Sequence, residues 1–271
     1  MPVSRIDARF AALRADNRAG FIAYIMAGDP DLETAFDILK GLPAAGADLI
    51  ELGFPFSDPM AEGPTIQRAA ERALKNGTRI ADVFDLVRRF RETDQTTPII
   101  LMGYMNPVES RGHAVWARAM SDCGADGLIV VDCPPEEAGG LSDALDAHDL
   151  ALIRLATPTT DAARLRTLVR RTRGFIYYVS VAGVTGVKEA NAEAVAGPVS
   201  QVREASGLPV AVGFGIRTPE RAAEVARIAD AAVVGSALVD EIKNSLPETA
   251  MTCAKVLAKA RDLAHAVHSA R

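Results

Sequence analysis

The chain has 271 residues, 49% of them hydrophobic and 24% charged, with 30 basic against 35 acidic residues and a formal net charge of −5. Such a chain can bury a large core without dividing into two domains, and its acidic balance disfavours a surface built to hold nucleic acid or anionic lipid. Three cysteines without C-x-x-C spacing, Cys123, Cys133 and Cys253, suit neither a disulfide framework nor a zinc knuckle and point to a reducing cytoplasm, and no apolar run is long enough for a signal peptide or a membrane span.

Taken in chain order, Ser4 followed by Asp7, with Ile6, Phe10 and Leu13 on one helical face, predicts a capped amphipathic helix ahead of the first strand. Eight short apolar runs follow: Phe21–Met26, Asp48–Phe54, Pro98–Tyr104, Gly127–Asp132, Ala151–Thr157, Gly174–Ser180, Pro209–Gly215 and Ala231–Val239. They are continuously apolar, as parallel strands covered on both faces are. Their starts lie 27, 50, 29, 24, 23, 35 and 22 residues apart, close to one strand-helix repeat everywhere except the second interval. Between them run helix-period patterns such as Val83, Val87 and Phe90, or Ala138, Leu141 and Leu145. The last stripe, Val256, Ala260, Leu263 and Val267, follows Pro247 and Glu248, which suit a helix start.

Eight near-equal units without a dinucleotide fingerprint favour a closed (β/α)8 TIM barrel over a doubly wound sheet, in a single domain spanning residues 1–271 with the N-terminal helix covering the barrel floor. Function is then expected in the loops at the carboxyl ends of the strands.

Three successive strand ends carry glycine: Gly183-Val184-Thr185-Gly186, Gly213-Phe214-Gly215 and Gly235-Ser236. Without side chains, backbone N–H groups can approach an anion, and a helix opening at Gly235-Ser236 would add its positive dipole end. No Walker lysine follows any of them, so the pattern predicts a substrate phosphate held by backbone donors. The second unit holds the other concentration of chemistry. Glu51 lies inside an apolar strand, where a carboxylate is either paired or poised for proton transfer. Glu62 follows in a proline-rich loop long enough to fold a second carboxylate over the barrel mouth. Elsewhere the signals are thin. None of His113, His148, His265 and His268 falls at a strand end, the last two reading as a solvated helix face, and no metal site is expected. No lysine lies on a strand to form a Schiff base, and Arg164 to Arg173 reads as an outer helix face.

The run Ile50-Glu51-Leu52-Gly53-Phe54-Pro55-Phe56-Ser57-Asp58-Pro59, continued by Gly63-Pro64-Thr65-Ile66-Gln67, closely resembles the tryptophan synthase alpha subunit family. Further matches fall in order at Gly28-Asp29-Pro30, Met102 to Pro107, Asp132-Cys133-Pro134, Ala182 to Gly186, Gly213 to Ile216 and Gly235-Ser236-Ala237, so the resemblance spans almost the whole chain. It implies a lyase of tryptophan biosynthesis that cleaves indole-3-glycerol phosphate into indole and glyceraldehyde 3-phosphate. Such a chain has no cofactor of its own and works beside a pyridoxal-phosphate beta subunit in a cytoplasmic α2β2 heterotetramer.

Residue by residue, the resemblance gives Glu51 the principal acid/base role. Glu62 takes the place of a second carboxylate that is commonly aspartate, and Tyr177 that of a tyrosine contacting the catalytic glutamate. The phosphate positions are Gly186, Gly215, Gly235 and Ser236, the set that the glycines also indicate. The indole slot falls on Tyr24, Met102, Tyr104 and Ile129, together with Val131, Leu155, Phe214 and Val233. Thr185 matches a threonine that bonds the second carboxylate on loop closure, whereas Val181 replaces an arginine often found there. Asp58, Pro59, Asn106 and Pro134 match positions facing the beta subunit. Two alternatives remain at this level: a barrel enzyme acting on another small phosphate ester, and a non-catalytic chain that only activates a beta subunit.

Overall fold

In the computed structural model, residues 4–179, 192–213 and 215–271 are described. Eight strands among them, β1 (Gly20–Met26), β2 (Leu49–Gly53), β3 (Ile99–Gly103), β4 (Gly127–Val130), β5 (Ala151–Ala156), β6 (Ile176–Val179), β7 (Val210–Gly213) and β8 (Ala231–Val234), pair in parallel and in sequence order. β8 returns to β1 through Gly20 opposite Ala231 and Ile22 opposite Val233, closing the barrel and leaving no sheet edge. The expected TIM barrel is therefore the observed one.

Helices α1 (Arg5–Ala15), α2 (Leu32–Gly41), α3 (Pro64–Lys75), α4 (Ile80–Arg91), α5 (Met105–Arg111) and α6 (His113–Cys123) accompany the first half. The second half carries α7 (Gly139–Asp146), α8 (Ala162–Val169), α9 (Ala192–Ser206), α10 (Pro219–Ile228), α11 (Ser236–Ser245) and α12 (Thr252–His268). The long second interval is explained by two helices, α3 and α4, in place of one.

Strand alternation sorts the core into two layers. Ile22 on β1, Leu49 on β2, Ile100, Ile129, Ile153 and Ala211 fill the barrel interior, while their neighbours Phe21, Ile50, Leu101, Leu128, Leu152 and Val212 face the helices. α1 closes the floor as anticipated. Ser4 caps it by accepting from the Asp7 N–H at 3.1 Å, and Ile6, Phe10 and Leu13 join the interior cluster, with the Phe10 and Phe175 rings 5.6 Å apart. Burying each such side chain contributes about 1.5–3 kcal/mol.

Three expectations are corrected. The eighth apolar run does not continue as strand to Val239. Gly235 breaks it, and Ser236 to Val239 form the first turn of α11, whose buried Ala237, Leu238 and Val239 keep the run apolar. Pro247 and Glu248 do not open the last helix. They lie in a 3-10 segment, Leu246–Met251, kinked at Glu248, and α12 starts at Thr252. Nor is His268 on a solvated face: its Nε2 lies 2.9 Å from Asp48 Oδ2, whose carboxylate also accepts from Arg18 and from the Phe21 N–H. The Arg164 to Arg173 stretch does sit outside, pairing with Glu136, Asp143, Asp146 and Asp149.

Candidate active site

A cavity of about 260 Å³ opens at the carboxyl ends of the strands. β1, β2, β3 and β6 contribute Tyr24, Glu51, Met102 and Tyr177 to its wall, the loop after β2 contributes Glu62, and the ends of β7 and β8 contribute Gly215, Arg217, Val233, Gly235 and Ser236.

Glu51 reaches this cavity because of its register. Leu49 of the same strand points into the barrel, so Glu51, two residues on, does too, one layer closer to the mouth. It is 1% exposed, and its Oε1 is buried with no hydrogen-bond partner among the described residues. Burial, reinforced by the negative charge of Glu62, pushes its pKa up to about 8. Tyr24 and Tyr177, buried beside the two carboxylates, are raised well above the usual phenol value, first by burial and then by those carboxylates. They stay neutral donors at any working pH. Two strand glycines make room for them: a Cβ at Gly53 would collide with the Tyr24 hydroxyl, and one at Gly213 with the Tyr177 hydroxyl.

Glu62 is carried by a loop that three contacts hold in place. Gln67 of α3 donates its side-chain amide to the Glu62 carbonyl at 3.0 Å and the Pro59 carbonyl at 3.3 Å, and the Tyr104 hydroxyl accepts from the Ala61 N–H at 2.9 Å. α3 itself is clamped to the first strand's loop, where Arg72 makes two 2.7 Å bonds to Asp29, a carboxylate with no exposed surface. Burial pushes the Glu62 carboxyl up to about 7. One cavity thus faces two acids that titrate near neutrality.

At the other end of the cavity, Gly235 precedes α11 and Gly215 has φ 76°, a conformation that favours glycine. The first N–H groups of a helix lack intrahelical partners, so Ser236 and Ala237 present donors and a positive dipole end to this space, while the Leu238 and Val239 N–H groups donate to the Gly235 carbonyl. Arg217 stands at the same rim, paired with Asp240 of α11, which also accepts from the Thr65 hydroxyl at 3.1 Å. This tie joins β7, α11 and the start of α3. Sequence reasoning missed Arg217, Asp240 and Thr65 as site residues. The available signal was a cation two residues beyond a phosphate-type glycine.

Of the positions expected to line an indole slot, Tyr24, Met102 and Val233 do line the cavity. Ile129 is fully buried in the barrel interior, and Val131 and Leu155 pack against that interior cluster, away from the cavity wall. Tyr104 is not on the wall either: it stacks on Phe56, ring centroids 5.2 Å apart, and spends its hydroxyl on the Glu62 loop. Phe214, Thr185, Gly186 and Val181 lie outside the described residues. Asp58, Asn106 and Pro134 are exposed and Pro59 half-buried, in segments following the adjacent strands β2, β3 and β4, so they share one side of the rim.

Comparison with known proteins bears on this arrangement. The sequence model of the tryptophan synthase alpha chain matches residues 10–268. The tryptophan synthase alpha chain of Caulobacter vibrioides is 67% identical over 271 residues, covering 100% of this chain and 98% of the relative, and that of Gluconacetobacter diazotrophicus is 52% identical over 273 residues, covering 99% and 100%. Among solved structures, tryptophan synthase subunit alpha from Legionella pneumophila superposes with a TM-score of 0.91 at 42% identity, covering 98% of each chain.

Proposed function

The chain belongs to the tryptophan synthase alpha chain family, and from that premise we propose how its own residues carry out the family's lyase reaction, the cleavage of indole-3-glycerol phosphate to indole and glyceraldehyde 3-phosphate. The family's alpha chain needs no cofactor; pyridoxal phosphate belongs to the beta subunit with which it works. Here that partnership is read as a cytoplasmic α2β2 heterotetramer, with Asp58, Pro59, Asn106 and Pro134 on the face toward the beta subunit.

The reaction is a retro-aldol cleavage, and the substrate supplies its own electron sink. Protonated Glu51 gives its proton to indole C3, which makes the ring nitrogen an iminium. The carboxylate so formed takes the proton of the hydroxyl on the carbon attached to C3. The O–H electrons form the aldehyde C=O, the C–C bond breaks, and its electron pair restores the indole. Glu51 ends protonated, as it began. Anionic Glu62 stabilises the positive charge that develops on the ring nitrogen. The neutral Tyr177 hydroxyl orients Glu51. Backbone donors at Gly215, Gly235 and Ser236, with Gly186, hold the phosphate, and Tyr24, Met102 and Val233 hold the ring. With both ends of the substrate fixed, the scissile bond is held beside the acid.

The observation that carries this reading is the pair of carboxylates on one cavity, Glu51 raised to about 8 and Glu62 to about 7, so that near neutrality one can hold a proton while the other is charged. A charge-assisted pairing with a cation would have lowered both. The test is indole release from indole-3-glycerol phosphate by the isolated chain and by its mixture with a tryptophan synthase beta subunit. Release in both, faster in the mixture, is expected; no release in either would overturn the reading, and turnover of another phosphate ester instead would assign the barrel elsewhere.

A further inference from the structure

Outside the active site, a second cavity of about 410 Å³ lies at the carboxyl ends of β4 and β5, and Arg154 is among the residues that line it. Arg154 alternates with Ile153 on β5, so it projects to the outer side of the barrel wall, under the helical layer. It is 6% exposed and forms no ion pair with any described residue. Among the described residues its Nε is buried with no hydrogen-bond partner, and its one bond is a long one, 3.5 Å from Nη1 to the Cys133 carbonyl. Of the carboxylates nearby, Asp132, which lines the cavity, accepts from the Met105 N–H, and Glu136 is engaged by Arg164, which also lines it. The other buried arginine among the described residues, Arg91, is matched by Asp126.

A guanidinium taken out of water without a counter-charge is costly, and removing it in favour of a packed apolar side chain is commonly neutral or stabilising. Arg154 therefore has no account as a stabiliser of this fold. With Nη1 turned to Cys133 and Nε buried, the guanidinium nitrogen left to meet a ligand is Nη2, whose N–H can make a charge-assisted hydrogen bond to a carboxylate oxygen. Around it stand apolar Val130 and Leu168 and the hydroxyls of Thr157 and Thr160, enough to seat a short carboxylate-bearing group.

We propose that the cavity between the ends of β4 and β5 is a carboxylate-binding site in which Arg154 holds the ligand through Nη2. It is separate from the catalytic cavity, with which it shares no lining residue. The carboxylate belongs either to a small acid in solution or to an acidic side chain of the beta subunit, and the chemistry of recognition is the same.

The experiment follows the Arg154 Nε–H resonance by nitrogen-15 NMR, and heat by calorimetry, while acetate, benzoate and, as a control, inorganic phosphate are titrated into the full chain. The same is done for Arg154→Leu and Arg154→Lys. A separate arm titrates each chain with a tryptophan synthase beta subunit. Binding of carboxylates that shifts the wild-type resonance and weakens at least tenfold in Arg154→Leu, whose melting temperature is unchanged or higher, establishes the site with a small acid as ligand. No binding of small acids, but a tenfold or greater loss of affinity for the beta subunit in Arg154→Leu, partly recovered in Arg154→Lys, establishes it with the partner as source. Indole release by the isolated chain is unchanged in both variants. Neither effect, or a melting temperature that drops sharply in Arg154→Leu without any loss of binding, overturns the proposal and makes Arg154 a structural residue.

Discussion

The Tyr104 hydroxyl accepts a hydrogen bond from the Ala61 N–H at 2.9 Å, tying the end of β3 to the residue that precedes Glu62. Removing that acceptor leaves the ring stacked on Phe56 but frees the loop. Tyr104→Phe is expected to cost roughly 1 kcal/mol of stability and to lower kcat about tenfold through misplacement of Glu62, with a smaller change in KM. Steady-state indole release and a urea melt check this together. A stability loss without a kcat effect would show that Glu62 does not depend on the tie.

The pH dependence of kcat/KM follows from the required protonation states. Glu51 must carry a proton and Glu62 must not, so activity rises as the pH passes about 7 and falls as it passes about 8, giving a narrow bell. Its two limbs belong to the coupled pair. Because Glu62 raises Glu51, Glu62→Asn shifts the alkaline limb to lower pH in whatever activity survives, while Glu62→Asp keeps a bell. An unshifted alkaline limb in the asparagine variant would mean the two acids do not interact.

The same shifts are stability statements. A carboxyl raised from 4.5 to about 8 in the native state binds protons there more tightly than in the unfolded chain, so its contribution is fully present below pH 4.5 and is lost as the pH rises through about 8. Each pH unit in that window costs about 1.4 kcal/mol. Glu51→Gln escapes this loss, so the variant gains stability relative to wild type between pH 5 and 8. Denaturant melts of both proteins at several pH values measure it, and parallel curves would contradict the raised native pKa.

At Gly213 the space that a Cβ would need is taken by the Tyr177 hydroxyl. Gly213→Ala should therefore displace Tyr177 and lower kcat by about tenfold or more. The hydroxyl oxygen is the nearest colliding atom, with the ring Cζ next at 2.8 Å, so adding Tyr177→Phe relieves the tightest part of the clash. A double-mutant cycle is expected to show a coupling of about 1 kcal/mol or more in stability; additive effects would mean that the two residues do not compete for that space.

What the sequence disclosed, and what it hid, divides along the range of the interactions. Strand positions such as Ile22, Leu49 and Ile100 are legible because a parallel strand covered on both faces is a continuous apolar run, and the Ser4 cap is a contact between residues three apart. Glu51 stands out for the same reason, as a charge inside such a run. The end of β8 is illegible by hydropathy alone, because the buried first turn of α11 extends the run past Gly235. Long-range pairings leave no local trace. His268 meets Asp48 from 220 residues away, Arg217 and Thr65 meet on Asp240, and nothing near Tyr104 tells whether its hydroxyl serves the cavity or the neighbouring loop.

The central claim is that the inward-facing carboxyl of β2 moves the protons of the cleavage. It is tested most directly by single-turnover indole formation in Glu51→Gln beside an equilibrium measurement of indole-3-glycerol phosphate binding to the same variant. The account predicts binding within a few-fold of wild type and a rate at least about a thousandfold lower, since the amide keeps the shape but cannot shuttle a proton. Indole formation at an ordinary rate by that variant would contradict it.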